Sequence, residues 1–471
     1  MGRRRRFPPE LLNVTFSGIA DKGFAVGRNP EGVVVFAEDA VPGDVADVTL
    51  FRKKKGVLFG RVKQLHQPSP DRTEPFCAHF GVCGGCKWQN LSYEGQLRHK
   101  EQVVHDAFRR IGQIPVEQYE PILGGPATRY YRNKLEFGCA NRRWLTEEEL
   151  QDEGISNSQD VIGFHRPGAY DKIIQIDECF LQGDPSNALR NGIRAIAREQ
   201  GLPFFDMREH HGLLRQLVVR TSTLGEVMLI IAFYQDDQQR IRPFLDAVLA
   251  AFPQITTLYY VINHKVNEFL LDLDMQLYHG PGYIQEQLGH IRYRIGPKSF
   301  FQTNTEQAVR LYETTAEFAG LQGTENVYDL YTGIGSIALF LAGRARQVVG
   351  IEEIPAAIED AKVNAALNGI DNVQFYAGDV KDMLSDEFAQ RHGLPDVLIT
   401  DPPRAGMHPK VVQYLLNLGA PRIVYVSCNP ATQARDLQGL GEQYAVRRVR
   451  PVDMFPHTSH VENVALLEKR S

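Results

Sequence analysis

Long apolar runs are missing from this sequence, and so is a strong excess of one charge. The longest apolar stretch, around Val227–Phe233, falls far short of the roughly twenty residues a membrane-spanning helix needs, which excludes a helical membrane protein. A formal net charge of -5 over 471 residues sets the chain apart from strongly basic proteins whose whole surface serves a nucleic acid. Cysteine is scarce as well. Six in a chain of this length cannot make a disulfide scaffold, and they point to the reducing cytoplasm. No apolar segment follows Arg3–Arg6; Phe7-Pro8-Pro9-Glu10 comes instead, so no secretory signal is read there. Internal repeats and low-complexity tracts are absent.

What is present suits a soluble globular protein, with 43% hydrophobic and 23% charged residues. The length is too great for one core, so two to four domains are expected. The mean charge also hides a local excess. Residues 1–66 hold twelve Lys/Arg against seven Asp/Glu, and eight of the twelve lie in Arg3–Arg6 and Arg52–Lys55. Salt screens charges beyond about 10 Å, so such runs matter more for phosphate contact than the chain's total does.

Three domains are predicted. In residues 1–66, Leu12–Phe16, Gly23–Gly27, Val33–Phe36, Asp44–Phe51 and Val57–Leu65 read as short strands, with Asn29-Pro30-Glu31-Gly32 and Pro42-Gly43-Asp44 as turns. Five strands in so short a span suggest a small β-barrel of the oligonucleotide-binding kind. Gln67–Glu74, with Pro68 and Pro70, reads as a linker. Residues 67–299 form a central α+β domain, with a polar helix over Tyr93–Ile111 and strands at Gln216–Thr221 and Val227–Tyr234. Residues 300–471 hold the third domain. From about Gly320 the apolar strands Val327–Leu330, Gln347–Ile351, Val373–Tyr376, Asp396–Thr400 and Arg422–Ser427 alternate with helical segments, which predicts a parallel, doubly wound sheet. Val446–Met454 and Val461–Leu467 follow with no helix between them, hence a final hairpin. A parallel sheet ending in such a hairpin is Rossmann-like in the manner of methyltransferases, not of all-parallel dinucleotide-binding halves.

The loop Asp329-Leu330-Tyr331-Thr332-Gly333-Ile334-Gly335-Ser336 follows the first of these strands and opens a helix. Its glycines let the backbone approach a ligand facing the helix N-terminus. The next strand ends at Glu352, where a carboxylate can accept both ribose hydroxyl protons, and the third leads to Asp379, placed for the adenine. These features fit one nucleoside, S-adenosylmethionine. NAD would require a pyrophosphate loop of the G-x-G-x-x-G type, and this loop reads G-I-G-S-I-A.

The fourth strand ends in Asp401-Pro402-Pro403-Arg404 and the fifth in Ser427-Cys428-Asn429-Pro430. Enzymes that methylate amino groups commonly place an aromatic after D-P-P, and Arg404 stands there instead. A cysteine at the carboxyl end of a strand suits another chemistry. Carbon 5 of uracil is a poor nucleophile until a thiolate adds to carbon 6 and converts the ring to an enolate. A thiol of pKa about 8.5 is mostly un-ionised at neutral pH, so the site must help. A base must then take the proton from carbon 5; Glu462, in His457-Thr458-Ser459-His460-Val461-Glu462-Asn463, is the candidate.

Asp401-Pro402-Pro403-Arg404, Ser427-Cys428-Asn429-Pro430 and His457-Thr458-x-His460-Val461-Glu462 together resemble the signature of the RNA uracil-5-methyltransferase family. The resemblance implies a class I methyltransferase domain with Cys428 as nucleophile and Glu462 as base. It further implies that Gln302, Tyr331, Glu352 and Asp401 contact the cofactor. Phe300, in Phe300-Phe301-Gln302-Thr303-Asn304, is implied to line the base pocket. The amino-terminal barrel resembles the TRAM domain of many members.

Cys77, Cys83 and Cys86 have the spacing C-x5-C-x2-C, and Cys179 stands apart. Four thiolates could hold zinc or an iron–sulfur cluster, and spacing alone does not choose. Pro75-Phe76-Cys77 through Cys83-Gly84-Gly85-Cys86 resembles the cluster segment of the ribosomal-RNA members, which implies a [4Fe-4S] cluster on all four. Cys139 is left to the core. In Tyr130-Tyr131-Arg132-Asn133-Lys134 aromatics stand beside cations, a pairing suited to RNA, with Arg132 and Lys134 as contacts.

The whole reads as an enzyme methylating a uridine of structured RNA, flipped out of its stack. Within the family, 23S ribosomal RNA is the expected substrate and transfer RNA the alternative. A non-catalytic RNA-binding assembly factor is the reading from another class. No membrane and no protein partner are implied.

Overall fold

The computed structural model describes residues 8–20, 23–146 and 149–470; the basic run Arg3–Arg6 lies outside them. Two compact units form, residues 1–102 with 455–460, and residues 103–454 with 461–471.

The first unit opens with a closed barrel of β1 (Glu10–Ile19), β2 (Ala25–Arg28), β3 (Val34–Glu38), β4 (Val45–Lys54) and β5 (Val57–Gln67), in the order β1-β2-β3-β5-β4. Alternation decides its interior. Ala46, Val48 and Leu50 of β4 face Val14, Phe16, Val35 and Ala37, all buried, as period-two patterning requires. The exposed end of β4 carries Arg52–Lys55 to the turn before β5. A stretch of turns holding Cys77, Cys83 and Cys86 follows, and then α1 (Tyr93–Asp106). Buried Gln96 binds His457, accepting from its backbone N–H at 2.7 Å and donating toward its Nδ1 at 3.1 Å. Lys100 Nζ donates to the Phe455 carbonyl at 2.9 Å.

The second unit carries two large sheets. The helix predicted to reach Ile111 leaves the α register at Asp106 and continues as a π-helical segment, Ala107–Gly112. Its wider turn buries Ala107, Phe108 and Gly112. After β6 (Val116–Tyr119) come β7 (Lys134–Ala140), β8 (Val161–Arg166), β9 (Ala169–Gln175), β10 (Leu214–Thr221), β11 (Val227–Phe233), β12 (Thr257–Ile262) and β13 (Met275–His279). The last seven form one sheet ordered β13-β12-β11-β10-β7-β8-β9. Helices α2 (Ser186–Glu199) and α3 (Gln238–Ala251) belong to this region, and a two-stranded sheet, β14 (Ile284–Leu288) with β15 (Ile291–Ile295), closes it.

The catalytic sheet contains β16 (Asn326–Leu330), β17 (Gln347–Glu352), β18 (Val373–Ala377), β19 (Val397–Thr400), β20 (Arg422–Ser427), β21 (Tyr444–Val452) and β22 (Glu462–Lys469). Its order is β18-β17-β16-β19-β20-β22-β21-β6, parallel from β18 to β20, with β22 antiparallel to both neighbours. The intervening helices are α4 (Thr305–Ala319), α5 (Ser336–Ala342), α6 (Pro355–Leu367), α7 (Val380–Met383), α8 (Asp386–His392), α9 (Pro409–Leu418) and α10 (Pro430–Leu440). Among the described residues, no helix is long and apolar enough to cross a membrane.

Candidate active site

Strand register gathers the predicted residues along one edge. Leu330 pairs with both Ile351 and Thr400, Thr400 with Tyr425, and Ser427 with Asn463. The residues just beyond these pairs, Tyr331, Glu352, Asp401 and Cys428, therefore share the carboxyl edge of the sheet. Glu462 opens β22 at that same edge because β22 runs the other way. Ligands of open α/β sheets bind at such an edge.

The cofactor loop is built on a turn. Thr332 donates from its backbone to the Ile351 carbonyl at 3.0 Å, and Gly335 to the Thr332 carbonyl at 2.9 Å. Gly333 has φ +58° and nothing within 4 Å of the position a Cβ would take, so its left-handed backbone borders open space. Glu352 accepts from the Gly333 N–H at 3.1 Å and the Ile354 N–H at 3.0 Å. Asp379 caps α7, accepting from the Lys381 N–H at 3.0 Å, and is ion-paired with the Lys381 ammonium, which holds its carboxyl below the usual range. Gln302 is buried.

Asp329, to which the loop motif alone assigns no role, joins the candidate site. One of its oxygens accepts from Thr332 Oγ1 and the Ala338 N–H, while the other, Oδ1, is buried without a partner. Burial pushes its carboxyl up to about 7. An orphaned acceptor beside an open glycine loop fits a bound nucleoside with donors to give.

Cys428 is half-buried and directly precedes Asn429, the N-cap of α10. Burial pushes its thiol up to about 12, Glu462 and Asp401 add to the shift, and Arg404 opposes it. Glu462 is pushed up to about 8 by burial and then by Asp401; Asp401 rises to about 7 by burial and then by Asp329. Around the thiol the acidic groups thus outweigh Arg404, a balance that a positively charged sulfonium would favour.

Side chains that the sequence assigns no part in the site hold these groups in place. Gln433, fully buried, donates to the Tyr425 carbonyl at 2.8 Å and the Asn463 carbonyl at 3.3 Å, and accepts from Asn463 Nδ2 at 2.7 Å. It ties the strand carrying Cys428 to the strand carrying Glu462. Asn133 Nδ2 donates to the Gln302 carbonyl and to Thr305 Oγ1, both at 2.9 Å. Buried Arg220, pushed down to about 10 by desolvation, donates to the Ser299 carbonyl at 3.0 and 3.1 Å. The segment 299–305 is therefore anchored by the central sheet.

Of the three residues assigned to RNA, Phe300 is 73% exposed. Lys134 pairs with Glu136 at 2.6 Å, and the Arg132 backbone donates to the Leu181 carbonyl at 2.8 Å. Cys77, Cys83 and Cys86 are half-buried and Cys179 is buried. The Gly85 N–H lies 3.4 Å from Cys83 Sγ. Among the described residues, no group of three or more His, Cys, Asp or Glu is gathered so as to hold a metal ion.

A doubly wound sheet ending in an antiparallel hairpin, with an acidic cofactor edge, defines a class I methyltransferase. Residues 275–470 match the tRNA (uracil-5-)-methyltransferase family and residues 6–63 the TRAM domain. An uncharacterized RNA methyltransferase of Bacteroides thetaiotaomicron is 50% identical over 96% of this chain and all of its own. One of Chlorobaculum tepidum is 38% identical over 98% and 96%. The crystal structure of Pyrococcus abyssi tRNA (uracil-54, C5)-methyltransferase in complex with S-adenosyl-L-homocysteine is 28% identical, with a TM-score of 0.74 over 97% of this chain and all of that one. The chain belongs to the TRAM-containing RNA uracil-5-methyltransferase family and is an RNA methyltransferase.

Proposed function

We propose that this enzyme methylates carbon 5 of a uridine in structured RNA through a transient bond between Cys428 and carbon 6 of the ring. The observation that carries the proposal is the pairing of Ser427 with Asn463, which sets a thiol and a buried carboxyl side by side at the cofactor edge. S-adenosylmethionine, held by Gln302, Tyr331, Glu352, Asp379 and Asp401, supplies when bound an electrophilic methyl group on a cationic sulfur. Asp329 and the Gly333 loop fit it, the first by its orphaned acceptor and the second by its open space.

The Cys428 thiolate adds to carbon 6 and leaves an enolate whose carbon 5 accepts the methyl group. Glu462, as carboxylate, takes the proton from carbon 5, and the carbon–sulfur bond breaks to return the Cys428 thiolate. RNA carrying 5-fluorouridine at the target blocks the last step, because no proton is there to remove. A covalent RNA–protein band that vanishes in Cys428→Ala supports the mechanism. Methyl transfer that survives Cys428→Ala sinks it, and an inactive factor would show no transfer in either protein.

The family resemblance favours 23S ribosomal RNA, and a cytoplasmic setting follows from that substrate. The transfer-RNA reading is favoured by the substrate named for the Pyrococcus abyssi enzyme. Mapping 5-methyluridine in both RNAs from cells with and without the gene separates them. Phe300, Arg132 and Lys134 are the proposed RNA contacts. Cys77, Cys83, Cys86 and Cys179 are proposed as ligands of a [4Fe-4S] cluster, on the resemblance of the Cys77–Cys86 segment to the ribosomal-RNA members and the amide facing Cys83 Sγ. Anaerobic purification yields about four irons per chain on this reading; zinc in their place overturns it.

A further inference from the structure

The central sheet carries a cavity of about 360 Å³, at the small end of the range for ligand sites, that the methyl transfer does not use. Gln216 of β10 pairs with Gly138 of β7, which pairs with Gly163 of β8, and all three line the cavity. A Cβ at Gly138 would come within 3.2 Å of His165 Nε2, so the glycine lets that ring lie close against the sheet. The ring in turn meets Glu268 Oε1 at 2.9 Å.

The polar groups here are acceptors in excess. Gln216 is 3% exposed and its Oε1 meets no donor. Glu136, two residues before Gly138 and on the same face, and Glu268 add carboxylates, each with one oxygen held, by Lys134 and by His165. At the rim, Phe269 is 56% exposed; the Lys265 ammonium lies 5.5 Å from its ring centre, donates to the Phe269 carbonyl at 2.6 Å and is ion-paired with Asp272 at 2.5 Å. No metal-holding group is gathered among the described residues, and a phosphate would be repelled by the two carboxylates. A flat ring bearing an amino group satisfies both features. It gives hydrogen bonds to the acceptors and stacks on the aromatic.

We propose that this cavity holds an adenine or cytosine base of the RNA, distinct from the uridine that is methylated. Uracil is discriminated against because its carbonyls would face the same acceptors. The inference rests on the chain acting on RNA, and it is independent of the bond to Cys428.

Fluorescence anisotropy with labelled ten-nucleotide oligo(C), oligo(A) and oligo(U) tests it on the full chain. The wild type should prefer oligo(C) and oligo(A) over oligo(U), and Phe269→Ala should weaken those two about tenfold, the value of a modest stacking contact. Glu268→Gln should narrow the preference. S-adenosylmethionine binding by calorimetry checks that each variant is folded, and the exposed Phe269 site decides alone if Glu268→Gln is not. Equal binding of all three oligonucleotides, or a preference that persists in a folded Phe269→Ala protein, overturns the proposal. Cys428→Ala, run in parallel, keeps the preference whether or not the covalent mechanism holds.

Discussion

A thiol beside Glu462 and Asp401 resists ionisation, which is why burial and its neighbours push Cys428 up to about 12. The same crowding raises Asp329 and Asp401 to about 7 and Glu462 to about 8. Between about pH 4.5 and 8 the folded, cofactor-free chain therefore binds more protons than the unfolded one, and stability falls as pH rises through that window. Urea melts at pH 5, 6.5 and 8 should show the decline, and S-adenosylmethionine should offset it more than S-adenosylhomocysteine, which lacks the sulfonium charge, does. Glu462 has a further signature. Acting as a base it must be ionised, so single-turnover rates should climb with pH up to about 8. Glu462→Gln should lower turnover about 10²- to 10⁴-fold while an adduct with ordinary uridine RNA accumulates on denaturing gels.

At the scale of elements, the loop after β16 and the tie between β20 and β22 carry the geometry. Gly333→Ala puts a side chain at φ +58°, a strain of about 1 kcal/mol, and fills the open space beside the loop. Calorimetry should show a cofactor affinity at least about tenfold weaker. Gln433→Leu strips partners from Tyr425 and Asn463 and should cost about 1–3 kcal/mol in urea melts, with a larger fall in kcat than in cofactor affinity. The strand ends that carry Tyr331, Glu352, Asp401 and Cys428 were legible in the sequence because buried parallel strands read as short apolar runs. Val116–Tyr119 was not legible. Its four residues have no apolar run, and it is a strand only because Val446, over three hundred positions later, pairs with Val116. Helical periodicity likewise continued through Ala107–Gly112, since spacing alone does not register the slip into a π turn. Asn133 stood inside a motif that read as RNA contact, yet its amide supports the Gln302 segment. Gln433 gave no signal, because a buried tie is defined by partners that only folding brings near.

At the scale of the molecule, metal content, oligonucleotide preference and methyl transfer are separable readouts, one for each kind of site. The hairpin between β21 and β22 constrains how they can be separated. Phe455–His460 packs with residues 1–102, where Gln96 and Lys100 hold His457 and Phe455, and Glu462 follows two positions later. A chain begun at Val103 should be nicked by chymotrypsin after Phe455, where the whole chain resists. Six residues of the hairpin thus belong to the unit built around α1 and the barrel. Recombination that exchanged the codons for residues 1–102 as a cassette would leave those for 455–460 matched to the wrong partner.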